Sequence, residues 1–186
     1  MKKHIITLGG MPGSGKSSTG KKLSELLGYE RVSSGDFFRA MAATHGITIE
    51  EINKRAEMDR SIDDETDAWV RAQGEKENLI IDSRLAFHWI PDAFKVFLKL
   101  DPKIAAERTF AHIRDEGRVS QRAESADDAY RQMLARVESE KKRYQDLYGV
   151  DYTDESHYDL VVDTGPNDLE TVTNMIADSY QNWLNQ

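Results

Sequence analysis

Short apolar runs along the chain alternate with longer stretches in which apolar residues recur every three or four positions. The short runs are rich in strand-forming residues and predict β-strands at 4–8, 29–33, 78–82, 94–100 and 158–163. The longer stretches predict helices at 15–27, 36–45, 49–58, 63–73, 102–115, 125–148 and 168–184. Strands that alternate with helices in this way are typical of an α/β fold built on a parallel sheet.

The length and net charge of the chain disfavour several classes of protein. The 186 residues contain no linker rich in Pro, Gly or Ser, so we expect one domain over residues 1–186. There are 25 Lys and Arg residues against 33 Asp and Glu residues, and the formal charge of -8 disfavours nonspecific binding to nucleic acid or to anionic membranes. The sequence has no cysteine, which excludes disulfides, and no long apolar segment. We therefore expect a cytoplasmic monomer that binds neither nucleic acid nor membrane.

A glycine-rich loop follows the first predicted strand. Residues 10–17, GMPGSGKS, fit the pattern G-x-x-x-x-G-K-[ST], and a predicted helix begins at once after them. Glycine allows backbone conformations that a Cβ atom would obstruct, so successive amide groups can point at one anion at the start of the helix. The loop therefore predicts a site for the phosphates of a nucleoside triphosphate.

Three side chains near this loop have the chemistry to complete a nucleotide site. Lys16 can reach the β- and γ-phosphates, and the hydroxyl group of Ser17 can ligate Mg²⁺. Asp82 ends an apolar strand, and ligands bind at the carboxyl ends of parallel strands, so Asp82 is a second candidate for Mg²⁺. We expect a nucleoside triphosphate at this loop, with Mg²⁺ as the cofactor. The expected nucleotide-binding loop comprises Gly10, Met11, Pro12, Gly13, Ser14, Gly15, Lys16, Ser17 and Ser18.

Loops of this kind serve nucleotide-dependent switches as well as enzymes, so a guanine-nucleotide switch is a competing hypothesis. Such a switch normally carries Asn-Lys-x-Asp after an apolar strand. The only Asn-Lys pair here is Asn53-Lys54, which lacks the acidic residue and lies in a polar helical stretch. This sequence disfavours the switch.

The predicted helix over 125–148 places three charged residues on one face. Arg136, Glu140 and Arg143 have the spacing i, i+4, i+7, beside an apolar stripe that contains Met133 and Val137. Taken alone, such a face favours intrahelical ion pairs in solvent. A phosphoryl-transfer enzyme, however, needs fixed positive groups beyond its loop.

Several motifs in order resemble the short, archaeal-type cytidylate kinases, a branch of the P-loop nucleoside monophosphate kinases. The motifs are GGMPGSGKSS, SSGDFFRAMAATHGITIEEINKRAE, IIDSRLAFHW, FLKLDPKIAAERT, RVESEKKRYQDLYGVD and YDLVVDT. The resemblance implies a three-layer P-loop NTPase fold with a five-stranded parallel sheet in the order 2-3-1-4-5. It also implies a helical acceptor region at about 34–76 and a short lid at about 113–128. The resemblance assigns no roles to the lid arginines Arg114, Arg118 and Arg122.

The same resemblance implies transfer of a phosphoryl group from ATP to CMP, with dCMP as a further candidate acceptor, and it assigns site residues. Ser34 and Arg39 match positions that touch the acceptor nucleotide, and Arg84 matches an arginine on its phosphate. Glu140 matches an acidic position near the cytosine and ribose. The remaining matches are clamp arginines, Arg136 and Arg143, and a donor-side arginine, Arg108. Lys16, Arg84, Arg136 and Arg143 are then the expected catalytic residues. An adenylate kinase or a small-metabolite kinase of the shikimate type shares the loop and the chemistry and stays open as the alternative.

Overall fold

Five parallel strands form a single sheet in the order β2-β3-β1-β4-β5. The structure, a computed structural model, describes residues 2–116, 123 and 125–186. The strands are β1 (Ile5–Gly10), β2 (Glu30–Ser33), β3 (Leu79–Asp82), β4 (Phe94–Lys99) and β5 (Leu160–Asp163). The predicted fold class and strand order are confirmed.

Helices connect the strands and cover both faces of the sheet, at positions close to those predicted. They are α1 (Lys16–Leu27), α2 (Ser34–Thr44), α3 (Ile49–Ala56), α4 (Ser61–Gln73), α5 (Ala86–Trp89), α6 (Pro102–Glu116), α7 (Ala126–Tyr148) and α8 (Leu169–Leu184), with a 3₁₀ helix at Glu155–His157. The sequence analysis did not predict α5, because four residues are too few to show a helical period.

Strand β1 lies at the centre of the sheet and is buried along its whole length. Its side chains alternate between two apolar clusters, as the pleat of a strand requires. Ile6 and Leu8 pack in the cluster that contains Leu23 of α1 and Ile176 of α8, and Ile5 packs in the cluster on the other face. Because both faces are buried, the loop that follows β1 leaves the sheet from a rigid base.

Helices α2 and α3 pack around a small apolar cluster of their own. Met41, Ala42 and Ile52 form this cluster, with Phe37 and Ile62 packed against it. These helices and α4 cover the predicted acceptor region at 34–76. A region with its own small core can move as a unit relative to the sheet, although its boundaries stay a prediction.

Asn167 and Glu170 have the spacing of a capping box, which predicts Asn167 as the N-cap of α8. The helix is instead capped one residue later, where the side chain of Asp168 accepts a hydrogen bond from the Thr171 amide. Asn167 instead donates a side-chain hydrogen bond to the Asp163 carbonyl oxygen. The predicted start of α6 at Pro102 is correct.

Within the part of the chain that the structure describes, no helix combines the length and the apolar character needed to cross a membrane. Arg118 and Arg122 of the predicted lid lie outside the described residues, and Arg114 falls in the last turn of α6. The lid itself therefore stays a prediction.

Candidate active site

The loop between β1 and α1 has backbone conformations that require glycine. Gly10, Gly13 and Gly15 have φ angles of 138°, 75° and 86°. A Cβ atom on Gly10 would lie 2.4 Å from the carbonyl oxygen of Leu98, and one on Gly13 would lie 2.7 Å from that of Ala105. The glycine spacing in the sequence therefore reflects both positive φ angles and close packing of the loop on β4 and α6.

The same loop ends at the N-terminus of α1. Gly15 occupies the N-cap position and Lys16 is the first helical residue, so no capping side chain occupies the amide groups of the first turn. The hydroxyl group of Ser14 is buried and has no hydrogen-bond partner among the described residues. Converging amide groups and an unpaired buried hydroxyl are suited to binding a phosphate.

Lys16 folds back over the loop. Its Nζ atom donates hydrogen bonds to the carbonyl oxygens of Gly10, at 2.9 Å, and Met11, at 2.8 Å. Burial, reinforced by the positive charge of Arg84, lowers the pKa of Lys16 to about 8. The ammonium group therefore lies beside the loop and is bound by two uncharged carbonyl oxygens, which an anion could replace.

Ser17 and Asp82 meet at the carboxyl end of the two central strands. The register pairs Leu8 of β1 with Asp82 of β3, and the Ser17 hydroxyl donates a 2.9 Å hydrogen bond to Oδ2 of Asp82. Arg31 of β2 also donates to this oxygen, through Nη2 at 3.0 Å. The sequence analysis did not find Arg31, whose only signal is a cationic residue inside a predicted strand.

A pocket of about 590 Å³ lies beside this edge of the sheet, between α2, α3, α4 and α7. It brings together Ser34, Arg39, Arg84, Arg136 and Glu140, which are five of the residues predicted to bind the acceptor or to catalyse transfer. The other lining residues are Gly35, Asp36, Phe38, Ile49, Asn53, Asp63, Thr66 and Tyr144.

Glu140 is buried between two arginines at the wall of this pocket. Its Oε2 atom lies 2.6 Å from Nε of Arg84, and its Oε1 atom accepts a 2.9 Å hydrogen bond from Nε of Arg136. The hydroxyl group of Tyr152 donates to Oε2 at 3.3 Å. Burial alone would raise the pKa of Glu140, but the charges of the two arginines outweigh it and lower that pKa. The carboxylate therefore stays ionised and orients both guanidinium groups.

Arg143 lies outside the pocket lining. Its Nε atom is 3.3 Å from Oδ2 of Asp63, and both side chains are buried. Burial, stronger than the effect of Arg143, raises the pKa of Asp63 to about 6. Carboxylates near the start of a helix are favourable in solvent, but Asp63 and Asp67 of α4 are both buried. Asp67 accepts hydrogen bonds from the Trp89 indole, at 3.0 Å, and from the Tyr148 hydroxyl.

Arg108 lies on the other side of the phosphate-binding loop. It belongs to α6, the helix whose Ala105 and Thr109 face Gly13. Its Nη2 atom donates to the carbonyl oxygen of Thr164 at 3.0 Å. Arg108 does not line the acceptor pocket, and its role on the donor side stays a prediction.

A glycine-rich phosphate loop and an arginine-lined pocket at the same edge of a 2-3-1-4-5 sheet are typical of P-loop kinases, the class that includes the nucleoside monophosphate kinases. The sequence model of the cytidylate kinase-like family matches residues 5–166. The chain belongs to this family. The predicted relationship to cytidylate kinases is confirmed.

Several known proteins are similar to this chain. The cytidylate kinase of Methanococcus maripaludis strain C5 is 36% identical over 96% of this chain and 98% of that relative. An S-adenosylmethionine-dependent nucleotide dehydratase of Lacinutrix mariniflava is 37% identical over 96% of the chain, but the chain spans only 36% of its length. Among solved structures, the shikimate kinase of Acinetobacter baumannii in complex with shikimate has a TM-score of 0.63 at 16% identity, covering 95% of this chain and 92% of that one. This last likeness shows the fold alone.

Proposed function

We propose that the protein transfers the γ-phosphoryl group of ATP to CMP and releases ADP and CDP. The observation that carries the proposal is the cluster in which the buried Glu140 holds Arg84 and Arg136 at the wall of the pocket, beside the phosphate-binding loop. Fixed arginines next to a triphosphate site suit an acceptor that is itself a phosphate. The family relationship supports CMP as that acceptor.

The donor side of the reaction would be held by the loop. The β- and γ-phosphates of ATP would accept hydrogen bonds from the loop amides and from the Ser14 hydroxyl. Lys16 would exchange the carbonyl oxygens of Gly10 and Met11 for phosphate oxygens. That exchange replaces neutral acceptors with charged ones, and charge-assisted hydrogen bonds are the stronger kind.

The residues present at the loop fit a magnesium ion. The hydroxyl group of Ser17 and the carboxylate of Asp82 lie 2.9 Å apart, and oxygen ligands of these types are the ones that Mg²⁺ prefers. Ser17 and Asp82 would therefore hold the ion. When bound, Mg²⁺ neutralises charge on the phosphates of the donor.

The acceptor side would be held by arginines in prearranged positions. Burial alone would lower the pKa of Arg84, but the charge of Glu140 outweighs it and raises that pKa, so the guanidinium group stays charged. Planar guanidinium groups bind two phosphate oxygens at once, which suits Arg84 and Arg136 to the acceptor phosphate.

The chain needs no general base for this transfer, because an acceptor phosphate is already ionised at neutral pH. Its residues would act by positioning the two phosphates and by matching the charge that spreads over the transferring group. Lys16 would act from the donor side, and Arg84 and Arg136 from the acceptor side. Arg143 would contribute through Asp63, which it contacts and which lines the pocket.

A coupled assay of ADP release tests the proposal. The protein with Mg·ATP is offered CMP, dCMP, UMP, AMP, GMP and shikimate in parallel, and we expect the highest kcat/KM with CMP. Arg84→Gln should reduce kcat/KM for CMP by at least about tenfold, which corresponds to one lost charge-assisted contact. Arg60→Gln is the matched control, because Arg60 forms an exposed ion pair with Asp64 and does not line the pocket. Preferred turnover of AMP or shikimate would overturn the proposal.

A further inference from the structure

A continuous series of polar contacts leads from helix α1 to the acceptor pocket and passes through Arg31. At one end, Ser17 donates to Oδ2 of Asp82, and Nη2 of Arg31 donates to the same oxygen at 3.0 Å. At the other end, Nη1 of Arg31 lies 3.5 Å from Oδ2 of Asp36, and Asp36 also accepts a hydrogen bond from Arg39. Asp36 and Arg39 line the pocket, whereas Ser17 belongs to the donor site.

The central part of this series is shielded from solvent. The side chains of Arg31 and Asp82 are 14% and 8% exposed. An ion pair with so little exposure is screened weakly by salt, and removing one partner leaves a buried charge uncompensated. Burial alone would raise the pKa of Asp36, but Arg39 and Arg31 outweigh it and lower that pKa, so Asp36 is ionised as well.

Helix α1 leaves space for this arginine. Gly20 lies inside the helix, where glycine is less favourable than alanine because it loses more backbone entropy. A Cβ atom at this position would lie 3.0 Å from Nε and 3.1 Å from Cδ of Arg31. The glycine therefore allows the guanidinium group to lie between α1 and the sheet, where it can reach both carboxylates.

We propose that Arg31 is a positioning residue that couples the donor and acceptor sites by holding Asp82 and Asp36 at the same time. The inference rests on the proposed function, since it takes CMP as the acceptor. When ligand binding at the donor site changes the contacts of the Asp82 carboxylate, the ion pair of Arg31 with Asp36 changes as well. Asp36 in turn sets the position of Arg39 in the pocket. We expect this coupling to be positive, and because coupling between two sites is reciprocal, each nucleotide then raises the affinity for the other by the same factor.

Calorimetric titration of CMP, without and with saturating Mg²⁺ and a non-hydrolysable ATP analogue, measures this coupling. In the unmodified protein we expect the analogue to lower the Kd of CMP by at least about fivefold, the low end of typical couplings between sites. Arg31→Gln should reduce the change to less than about twofold, because glutamine has no charge to hold two carboxylates. Arg60→Gln, which removes an arginine from an exposed ion pair, should keep the full coupling.

The outcomes separate this inference from the proposed function. Undiminished coupling in Arg31→Gln, or no coupling in the unmodified protein, would overturn the inference and leave CMP as the acceptor. Failure of the unmodified protein to bind CMP would overturn both. If Arg31→Gln has lost its far-ultraviolet circular dichroism, Arg31→Lys replaces it, since lysine keeps the charge but lacks the planar fork. The same loss of coupling is then expected. Coupling that persists in Arg31→Lys would overturn the inference.

Discussion

The Nε atom of Arg84 lies 2.6 Å from Oε2 of Glu140, and this contact joins the turn after β3 to helix α7. The carboxylate also holds Arg136, so one buried acidic residue orients two cationic groups of the pocket. Fixing the two guanidinium groups before the substrate arrives lowers the entropy that must be lost on binding.

Glu140→Gln should lower the free energy of unfolding by about 2–3 kcal/mol, because it leaves two partly buried arginines without their carboxylate. It should also weaken CMP binding, since the arginines lose their fixed orientation. Urea denaturation and CMP titration measure the two effects. The control is Glu138→Gln on the same helix, where the side chain is exposed. Equal stability of the two variants would show that the buried cluster does not stabilise the fold.

Binding of a nucleoside triphosphate should take up protons near pH 8. The pKa of Lys16 is lowered to about 8, so about half of the free protein carries a neutral amine at that pH. Bound phosphate favours the ammonium form and raises this pKa, and affinity should therefore fall as the pH rises above 8. Calorimetry in two buffers with different ionisation enthalpies gives the number of protons, expected to be about one half.

The matched control for this experiment is Lys16→Ala, which removes the titrating group and leaves the loop glycines in place. We expect this variant to stay folded, to lose turnover and to show no proton uptake at pH 8. Proton uptake that is unchanged in the variant would assign the titration to another group and contradict the lowered pKa of Lys16.

Gly10→Ala should be far more damaging than Gly28→Ala. Both residues have positive φ angles, but a Cβ atom on Gly10 would lie 2.4 Å from the Leu98 carbonyl oxygen, whereas nothing lies within 4 Å of one on Gly28. Gly28→Ala should therefore cost only the strain of a left-handed conformation, about 1 kcal/mol. Gly10→Ala should cost more than about 2 kcal/mol and abolish triphosphate binding. Thermal unfolding and nucleotide titration of both variants test this difference.

Arg143→Lys should reduce kcat by at least about tenfold, because a lysine cannot present a planar fork to Asp63 or to a phosphate. Arg131→Lys is the control on the same helix, since the Arg131 side chain is 77% exposed. The unfolding free energy of both variants separates catalysis from packing. Full kcat in Arg143→Lys would show that the predicted clamp role is wrong, and a loss of stability alone would leave Arg143 a structural partner of Asp63.

The fold was largely predictable from local pattern. Alternation of apolar runs with helical periods gave all five strands of the sheet within a few residues, because strand and helix periods depend on neighbours in sequence. The strand order came from the resemblance to a family, since no local signal states which strands are adjacent. The short helix α5 had too few residues to show a period.

The part of the candidate site whose residues lie in one short segment of the chain was predictable. The glycines at 10, 13 and 15, with Lys16 and Ser17, all lie within residues 10–17, and their spacing alone indicated a phosphate-binding loop. The assignment of catalytic roles to these residues stays a prediction. Burial of charged residues was not predictable in the same way. A carboxylate near the start of a helix is favourable in solvent, so the sequence pattern gives no sign that Asp63 is buried against Arg143.

By itself, then, the sequence determined the alternating α/β elements and the phosphate-binding loop, because both depend on conformational preferences within short stretches of chain. Only the tertiary structure decided which charges meet: Arg84 with Glu140, and Arg31 with both Asp82 and Asp36. These partners are far apart in the chain or on different elements, and a periodic pattern does not distinguish a solvated charge from one paired in the interior. The packing of helices on the sheet shields the Arg84–Glu140 and Arg31–Asp82 pairs from water and fixes their distances.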